Sequence, residues 1–551
     1  MGLDDLCGLI VAPGASCDVA VQFLPQAVDT RRHSAILSLG PRLPGDSAGL
    51  VLLEGESQVL SPGKISSTPN PQVAQYTWTL PYKASWSVRF GTTTEYGRST
   101  SVQTAPTVDT ASSMYVAGML PNTTYHMQAT VTLPDGATAN DIDQVFTTGA
   151  LLAGIPATLP ATTSAGMTPQ PGVELLNTLV GALPTTALVT DLQGNVIWSY
   201  SFPDRTAPAE LYPVRLLPNG HFLCMIAPVY PKLPTTGDLN VIREFDLAGN
   251  TVQQLSMVDL NNRLAAKGFA LPLSAFSHDI VLLPNGHYLA IATAIQPYTD
   301  LPGYPGVTQA LGDVVIDLDS KFQPVWWWNS FDHLDINRHP WNFPDWTHAN
   351  SIAYSKDDGN FIISLRHQNW ILKVDYKDGG GTGNVIWRLG KDGDFALQGA
   401  TDPTDWFYAQ HDAEFASTAT KDVFSLLVFD NGNDRSFPDG MFCGPLPGQT
   451  PCRYSSSMQL QVDENAKTAA FQFHQILPVN LYSSFAGSSS LLPNGNISYN
   501  LAGVGATAYV FEVTPGPPVS DIPQTVWELT LPGTNTYRAE RLPSLYPGVQ
   551  W

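Results

Sequence analysis

Short apolar or alternating runs, broken by Gly, Pro, Asn and Asp, repeat along most of this chain. Three copies are plain: RLLPNGHFLCMI (Arg215 to Ile226), VLLPNGHYLAIA (Val281 to Ala292) and LLPNGNISYNLA (Leu491 to Ala502). Each reads as strand, tight Asn-Gly turn, strand, the strongest short-range hairpin signal. SIAYSKDDGNFIISLRH (from Ser351) and EFASTATKDVFSLLVF (from Glu414) are looser copies. A second hairpin interleaves with the first: a strand, an Asp with turn residues, then an aromatic or apolar strand. It starts at Ala187, Ile242, Val314, Ile371, Leu460 and Phe511. Two hairpins make a four-strand unit of roughly 50 to 75 residues, against about 40–50 for common propeller blades. No long amphipathic helix interrupts the pattern, so the fold class is all-β. Six units predict a six-bladed β-propeller, because radial repetition leaves few exposed edges.

Two smaller β units precede it. Residues 1–57 include CGLIVAPGASCDVAVQF, RRHSAILSLG and GLVLLEGES, and resemble an immunoglobulin-like β-sandwich that lacks its first strands. Residues 58–149 end in GMLPNTTYHMQATVTLPDGATANDIDQVFTTGA and resemble a fibronectin type III module. Neither carries clustered catalytic groups, so both read as spacers or docking modules. A Pro/Thr/Ala-rich stretch from Thr147 leads into the propeller, taken as 150–551.

The chain has 551 residues, 45 Gly and 45 Pro, with a net charge of −21. That length exceeds what one core supports. The acidity is spread along the chain and argues against nucleic acid or an anionic membrane as partner. No apolar run approaches the ~18 residues of a spanning helix, so no membrane insertion is expected. The start, MGLDDLCGLIVAPGAS, lacks signal-peptide character and enters a strand-rich module partway, so a natural leader is expected upstream. Cys7 and Cys17, like Cys443 and Cys452, flank short loops that a disulfide would close in a periplasmic or secreted setting. Cys224 lies in a strand as a small hydrophobe. Neither CxxC nor HExxH is present, and no metal or other cofactor is expected.

The repeat register points to a site. Eight residues before Gly220 and Gly286 stand Tyr212 and His278; nine before Gly359 stands Asn350; His411 heads the fifth copy. Polar groups at the head of one strand per unit converge on one axis. His348 and Asn350 are two apart and share a strand face. Arg366 and His348 are equidistant from Asp357, which makes them cross-strand neighbours, a cationic cradle for a tetrahedral oxyanion. The remaining histidines, His367 among them, read as core or surface residues. Three imidazoles could instead hold a metal, although Asp279 and Asp412, each one residue after a histidine, would face the other way.

The segments SHDIVLLPNGHYL, DWTHANSIAYSKDDGNFIISLRHQNWILKVD, GNVIWRLG, QHDAEF and YRAERLPSLYPG resemble those of bacterial arylsulfate sulfotransferases, which do not use 3′-phosphoadenylyl sulfate. The most demanding part is H-x-N followed, past the hairpin, by S-x-R. The resemblance implies a transferase that takes an aryl sulfate donor and a phenolic acceptor, with His411 sulfated covalently and His278, His348, Asn350 and Arg366 completing the site. It also implies ping-pong kinetics. Arg366 and Asn350 would hold sulfuryl oxygens, and His348 or His278 would move the proton. Tyr212 is added as an orienting hydroxyl, and Trp346 and Tyr408 as walls for the aryl group. Two functions of other classes compete: a non-catalytic surface binding protein and a metal-dependent propeller hydrolase. The oligomeric state, including a homo-oligomer, is left open.

Overall fold

The computed structural model describes strands 2–4, 20–22, 32–39 and 49–56, then residues 61–80, 83–105, 110–133, 136–202, 209–229, 239–420, 422–437, 453–516 and 523–551. Cys7, Cys17, Cys443 and Cys452 lie outside the described residues; Cys224 is a buried thiol. Among the described residues there are 39 strands, two α-helices and three 3-10 turns, so the all-β class stands. No helix there is long and apolar enough to cross a membrane.

The LPNG repeats form one turn three times over. In each, the Leu N–H bonds to the carbonyl four residues on and the Gly N–H bonds back to the Leu carbonyl: 217 with 221, 283 with 287, 492 with 496. Gly220, Gly286 and Gly495 all take φ between 82° and 88°, which a side chain would strain. The intervening hairpins turn on an aspartate instead: Asp191 and Asp319 each accept backbone N–H groups two and four residues on.

From residue 161 onward these hairpins assemble into six sheets of four or five strands, antiparallel except where Ala396–Gln398 joins one outer edge in parallel. Their innermost strands are β1 (Ala209–Leu216), β2 (Leu273–Leu282), β3 (Ala349–Tyr354), β4 (His411–Thr420), β5 (Ser488–Leu491) and β6 (Thr534–Leu542). They contact one another in cyclic order, so the sheets close into a ring about one axis. The closing sheet is composite: β6 pairs with Val173–Gly181, which pairs with Ala187–Thr190 and then Val196–Tyr200. A second closure adds Ala161–Thr163 to the outer edge of the preceding sheet. Between the sheets lie fully buried indoles, among them Trp198, Trp328, Trp387 and Trp527.

The 61–149 region forms two further sheets that pack Trp78 against Trp86, with ring centroids 6.1 Å apart. Leu120 N–H donates to the hydroxyl of Tyr125 at 2.9 Å, tying the Leu-Pro-Asn-Thr-Thr-Tyr corner to its strand. This unit is bolted to the ring. Asn70 and Gln72 donate to Ser199 and Val196 carbonyls, Ala117 N–H donates to Tyr546 Oη, and the Trp551 indole donates to Ser99 O. One continuous apolar cluster spans both parts.

Four of the inner strands carry a bulge near the axis. Pairing slips between Tyr212 and Arg215 in β1, Phe276 and Ile280 in β2, Ala349 and Ser351 in β3, and His411 and Glu414 in β4. His278, His348 and Asp412 sit there in left-handed conformations, at φ 55°, 51° and 54°. A bulge re-aims side chains that a regular ladder would alternate. Just before β5 the equivalent position is bare: Gly487, at φ 101°. A methyl group there would meet Phe429 at 2.6 Å and the Asn500 carbonyl at 2.7 Å. Gly487→Ala is therefore expected to cost on the order of 1–3 kcal/mol or more, read as a lower denaturant midpoint with an unchanged m-value.

Candidate active site

The bulges of β2 and β4 turn His278 and His411 inward, while His348, just before β3, does the same from its own left-handed turn. Together with Tyr212, Arg366, Tyr537, Glu210, Leu179, Phe485 and Ala486 they line a cavity of about 160 Å³ on the axis. Ring centroids of His278 and His348 are 4.6 Å apart, and those of His348 and His411 6.4 Å. Tyr212 stacks on His278 at 5.0 Å, and Tyr537 meets Tyr212 edge-on at the same distance.

Arg366 and His348 are neighbours in the hairpin: Ala349 pairs with Leu365, and Arg366 N–H donates to the His348 carbonyl at 3.1 Å. Arg366 does not continue the strand but opens a 3-10 turn over 366–368. Its guanidinium lies over the Trp341 ring at 4.7 Å, donates to Ser484 O at 3.0 Å and lies 2.5 Å from His367 Nε2. His367, which reads as a bland core residue in the sequence, thereby backs two residues of the site, with its ring 4.5 Å from that of His348.

The tautomer of His411 follows from its neighbours. Asn431 donates its amide N–H groups to the Ser483 carbonyl at 2.8 Å and the Ala486 carbonyl at 3.0 Å, which fixes the amide's orientation. Its oxygen must then accept, so the 2.6 Å contact to His411 is an Nδ1–H donor. Nε2 is left unprotonated, with its lone pair. Burial, followed by the charge of Arg366 and the neighbouring His348, holds the His411 pKa well below the ordinary value, so the imidazole is neutral near pH 7. His348 is likewise held neutral, by burial and Arg366. Its 2.6 Å contact to Asp345 Oδ2 is accordingly a hydrogen bond from Nδ1–H to a carboxylate rather than an ion pair. Burial, then His348, depresses His278 in the same way.

Other sequence-selected residues fall elsewhere. Asn350 is buried behind the cavity: its amide donates to Gln410 O at 2.7 Å, and its carbonyl accepts from Tyr537 Oη and Arg538. The β3 bulge turns its side chain off the face that holds His348, so the structure does not bring it to the cavity. Nor does it bring Trp346 or Tyr408 there. The Trp346 indole donates to Arg338 O and stacks on Phe331; the Tyr408 hydroxyl donates to Pro403 O. The cavity's aromatic walls are Tyr212, Phe485 and Tyr537 instead.

Asp345, His348 and His367 place potential metal-ligand atoms within 4.8 Å of one another. Both Nδ1 atoms of that trio already donate to Asp345, one to its carboxylate and one to its carbonyl, and His367 Nε2 faces the Arg366 guanidinium. A donor set so engaged, beside a fixed cation, suits an anion better than a metal ion. A tetrahedral oxyanion would meet the Arg366 guanidinium on one side and the lone pair of His411 on the other.

Residues 162–525 match the model of the family described as Arylsulfotransferase (ASST). No curated protein matches the chain. Among solved structures, a Bacteroides fragilis protein assigned as a 6-phosphogluconolactonase overlaps 84% of this chain and 98% of its own, at 9% identity and a TM-score of 0.32. An auxiliary nutrient binding protein from Bacteroides ovatus overlaps 82% of each chain, at 10% identity and a TM-score of 0.28.

The histidines carry a pH signature. Their folded-state pKa values lie below the ordinary 6.5, so on acidification the unfolded chain takes up protons first. Stability from this source is complete above about 6.5 and is lost as pH falls below it. Ring nitrogen-15 NMR should find His411 neutral and protonated at Nδ1 well below pH 6.5. In Asn431→Ala that resonance should become a mixture of tautomers.

Proposed function

This chain belongs to the arylsulfotransferase family and is a sulfotransferase, and we propose that it moves a sulfuryl group between phenols in two steps through His411, without 3′-phosphoadenylyl sulfate. One observation carries the choice of nucleophile: both His411 and His348 line the cavity with Arg366, but the Nδ1–H of His411 is held by the neutral amide of Asn431, whereas that of His348 is held by the Asp345 carboxylate, which suits a proton carrier. Residues 150–551 would be the catalytic unit, behind an immunoglobulin-like unit at 1–57 and a fibronectin-like unit at 58–149. A periplasmic or secreted location belongs to the same proposal and rests on the paired short-loop cysteines of the sequence.

In the first step the Nε2 lone pair forms a bond to sulfur while the S–O bond to the aryl group breaks. The phenolate leaves with that electron pair and takes a proton from the Nε2 of a histidine that has picked it up from solvent as the donor binds. His348 is the better proton carrier of the two remaining histidines, because Asp345 accepts from its Nδ1–H and stabilises the imidazolium. The bound donor is itself an anion and raises the affinity of His348 for that proton, offsetting Arg366. In the second step His348 takes the proton of an acceptor phenol, whose oxygen attacks sulfur, and the N–S electron pair returns to Nε2. Sulfuryl transfer has a loose transition state like that of phosphoryl transfer, so positioning and charge account for most of the rate. Arg366 supplies the charge. Tyr212, Tyr537 and Phe485 bracket an aryl ring.

Incubation with a chromogenic aryl sulfate and no acceptor should leave the protein heavier by one SO₃ unit, on the peptide containing AQHDAEF. The adduct should be acid-labile and should discharge when a phenol is added. His411→Asn should abolish labelling and turnover. If that variant stays active with sequential kinetics, direct donor-to-acceptor transfer replaces the two-step route. Arg366→Ala should cost on the order of 2–5 kcal/mol in kcat/KM, as loss of one partner of a desolvated charge interaction does.

A further inference from the structure

Behind the histidines, on the far side of the same bulges, one guanidinium gathers three inner strands. Arg538 in β6 donates through its terminal nitrogen to Asp279 Oδ2 at 3.2 Å and to the Asn350 carbonyl at 2.8 Å, and its Nε lies 3.1 Å from Asp412 Oδ1. Asp279 directly follows His278, Asp412 directly follows His411, and Asn350 is two residues beyond His348. In β2 and β4 the bulge thus splits its residues between two jobs, the histidine turning to the cavity and the aspartate after it to Arg538, and in β3 the backbone carbonyl of Asn350 takes the aspartate's part.

The two aspartates extend the connection around the ring. Asp279 Oδ2 also accepts from Ile352 N–H of β3 at 3.0 Å, and Asp412 Oδ2 accepts from Ser489 N–H of β5 at 3.3 Å. Asp279 Oδ1 takes a further bond from Arg215 of β1 at 2.7 Å. Every inner strand from β1 to β6 is therefore joined to this network.

We propose that Arg538 is a positioning residue for sulfuryl transfer, setting the mutual distances of His278, His348 and His411 through Asp279, Asn350 and Asp412. The inference rests on the sulfotransferase reading of the cavity. A planar fork is needed, because one group must meet two carboxylates and a carbonyl in fixed directions; an ammonium would supply the charge without the directions. The charge itself is a second contribution. Arg538 is faced by Arg215, Asp279, Asp412, Glu414, Tyr537 and Glu540, so without it the acids just behind the histidines outweigh a single Arg215. That excess negative charge would favour protonated imidazoles.

Lys and Gln at position 538 separate the two contributions. Arg538→Lys should hold the acid limb of the pH–rate profile near the parent's and still lower kcat, with KM changed less because Arg366 is intact. Arg538→Gln should lower kcat on the order of 10²-fold, the scale of an ångström-sized misplacement, and should also move the acid limb to higher pH. Asp412→Asn leaves Arg538 its bonds to Asp279 and Asn350, and should slow the step that sulfates His411; it serves if Arg538→Gln does not fold. Parent-like kcat, KM and pH profile in Arg538→Lys and Asp412→Asn would overturn the proposal. Absence of aryl sulfate turnover in the parent would instead overturn the reading beneath it, and the ring nitrogen-15 spectra of the same variants, recorded without substrate, report the histidine environments in either case.

Discussion

Closure of the ring by β6 is the constraint on which everything else depends. The strand that brings Tyr537 and Arg538 to the axis pairs with Val173–Gly181, and Arg538 N–H reaches Asn177 across 361 residues of chain. Loop closure over such a span costs on the order of 5 kcal/mol in chain entropy. The pairing offsets that cost by hydrogen bonds along most of the strand and by burying Tyr537, Ala539 and Leu542. Until it forms, the Asn350 carbonyl and Asp412 lack the guanidinium that gathers the histidine-bearing strands, and Asp279 has Arg215 alone. Contacts this remote in sequence also imply slow folding.

Charge is sorted along the axis by the same geometry. The chain as a whole is strongly acidic, yet the histidine cavity has one carboxylate in its lining, Glu210, against Arg366 and three neutral imidazoles. The acids Asp412, Glu414 and Glu540 line a separate cavity with Arg215 and Arg538. Burial there pushes the Glu414 carboxyl up to about 8, so it keeps its proton at neutral pH and lightens the negative load behind the anion site. An anionic substrate thus meets Arg366 and neutral imidazoles in a strongly acidic protein, while Asp412, Glu414 and Glu540 stand on the other side of the bulged strands.

Much of this was readable from the residues, and the limits have physical reasons. Hairpins announced themselves through Asn-Gly and Asp-containing turns, because those residues are chosen for backbone conformations that few others adopt. His278 could be picked out as a candidate by its offset from such a turn, His411 by heading its copy of the repeat, and His348 and Arg366 by their equal distance from Asp357. The offset of Arg366 from Asp357 gave the right neighbour for His348 even though the β3 bulge shifts the register by one. Bulges were invisible to a reading based on strict alternation, which is why Asn350 was expected in the cavity and is found behind it. Asn431 was hidden for a different reason: in FDNGND it looks like turn chemistry, and only the carbonyls of Ser483 and Ala486, fifty residues on, reveal its orientation. Asp345, His367 and Arg538 lay within conspicuous segments, but their partners are set by tertiary contacts that spacing does not encode. Trp346 and Tyr408 were drawn toward the substrate by their chemistry and are held away from it by core hydrogen bonds.

The bulges have a consequence for how such a protein can diversify. In β1 and β2 the irregularity is absorbed within a few residues and the hairpin beyond returns to regular pairing with its turn unchanged, whereas β4 shifts register twice more along its length. What points inward at β1 or β2 is therefore uncoupled from the turn of the hairpin that carries it. A lineage could exchange tyrosine and histidine at such a spoke of the wheel without re-solving the packing of a blade, but not at Gly487, where a side chain has no room. The chemistry of the hub can drift one position at a time while the rim stays the same.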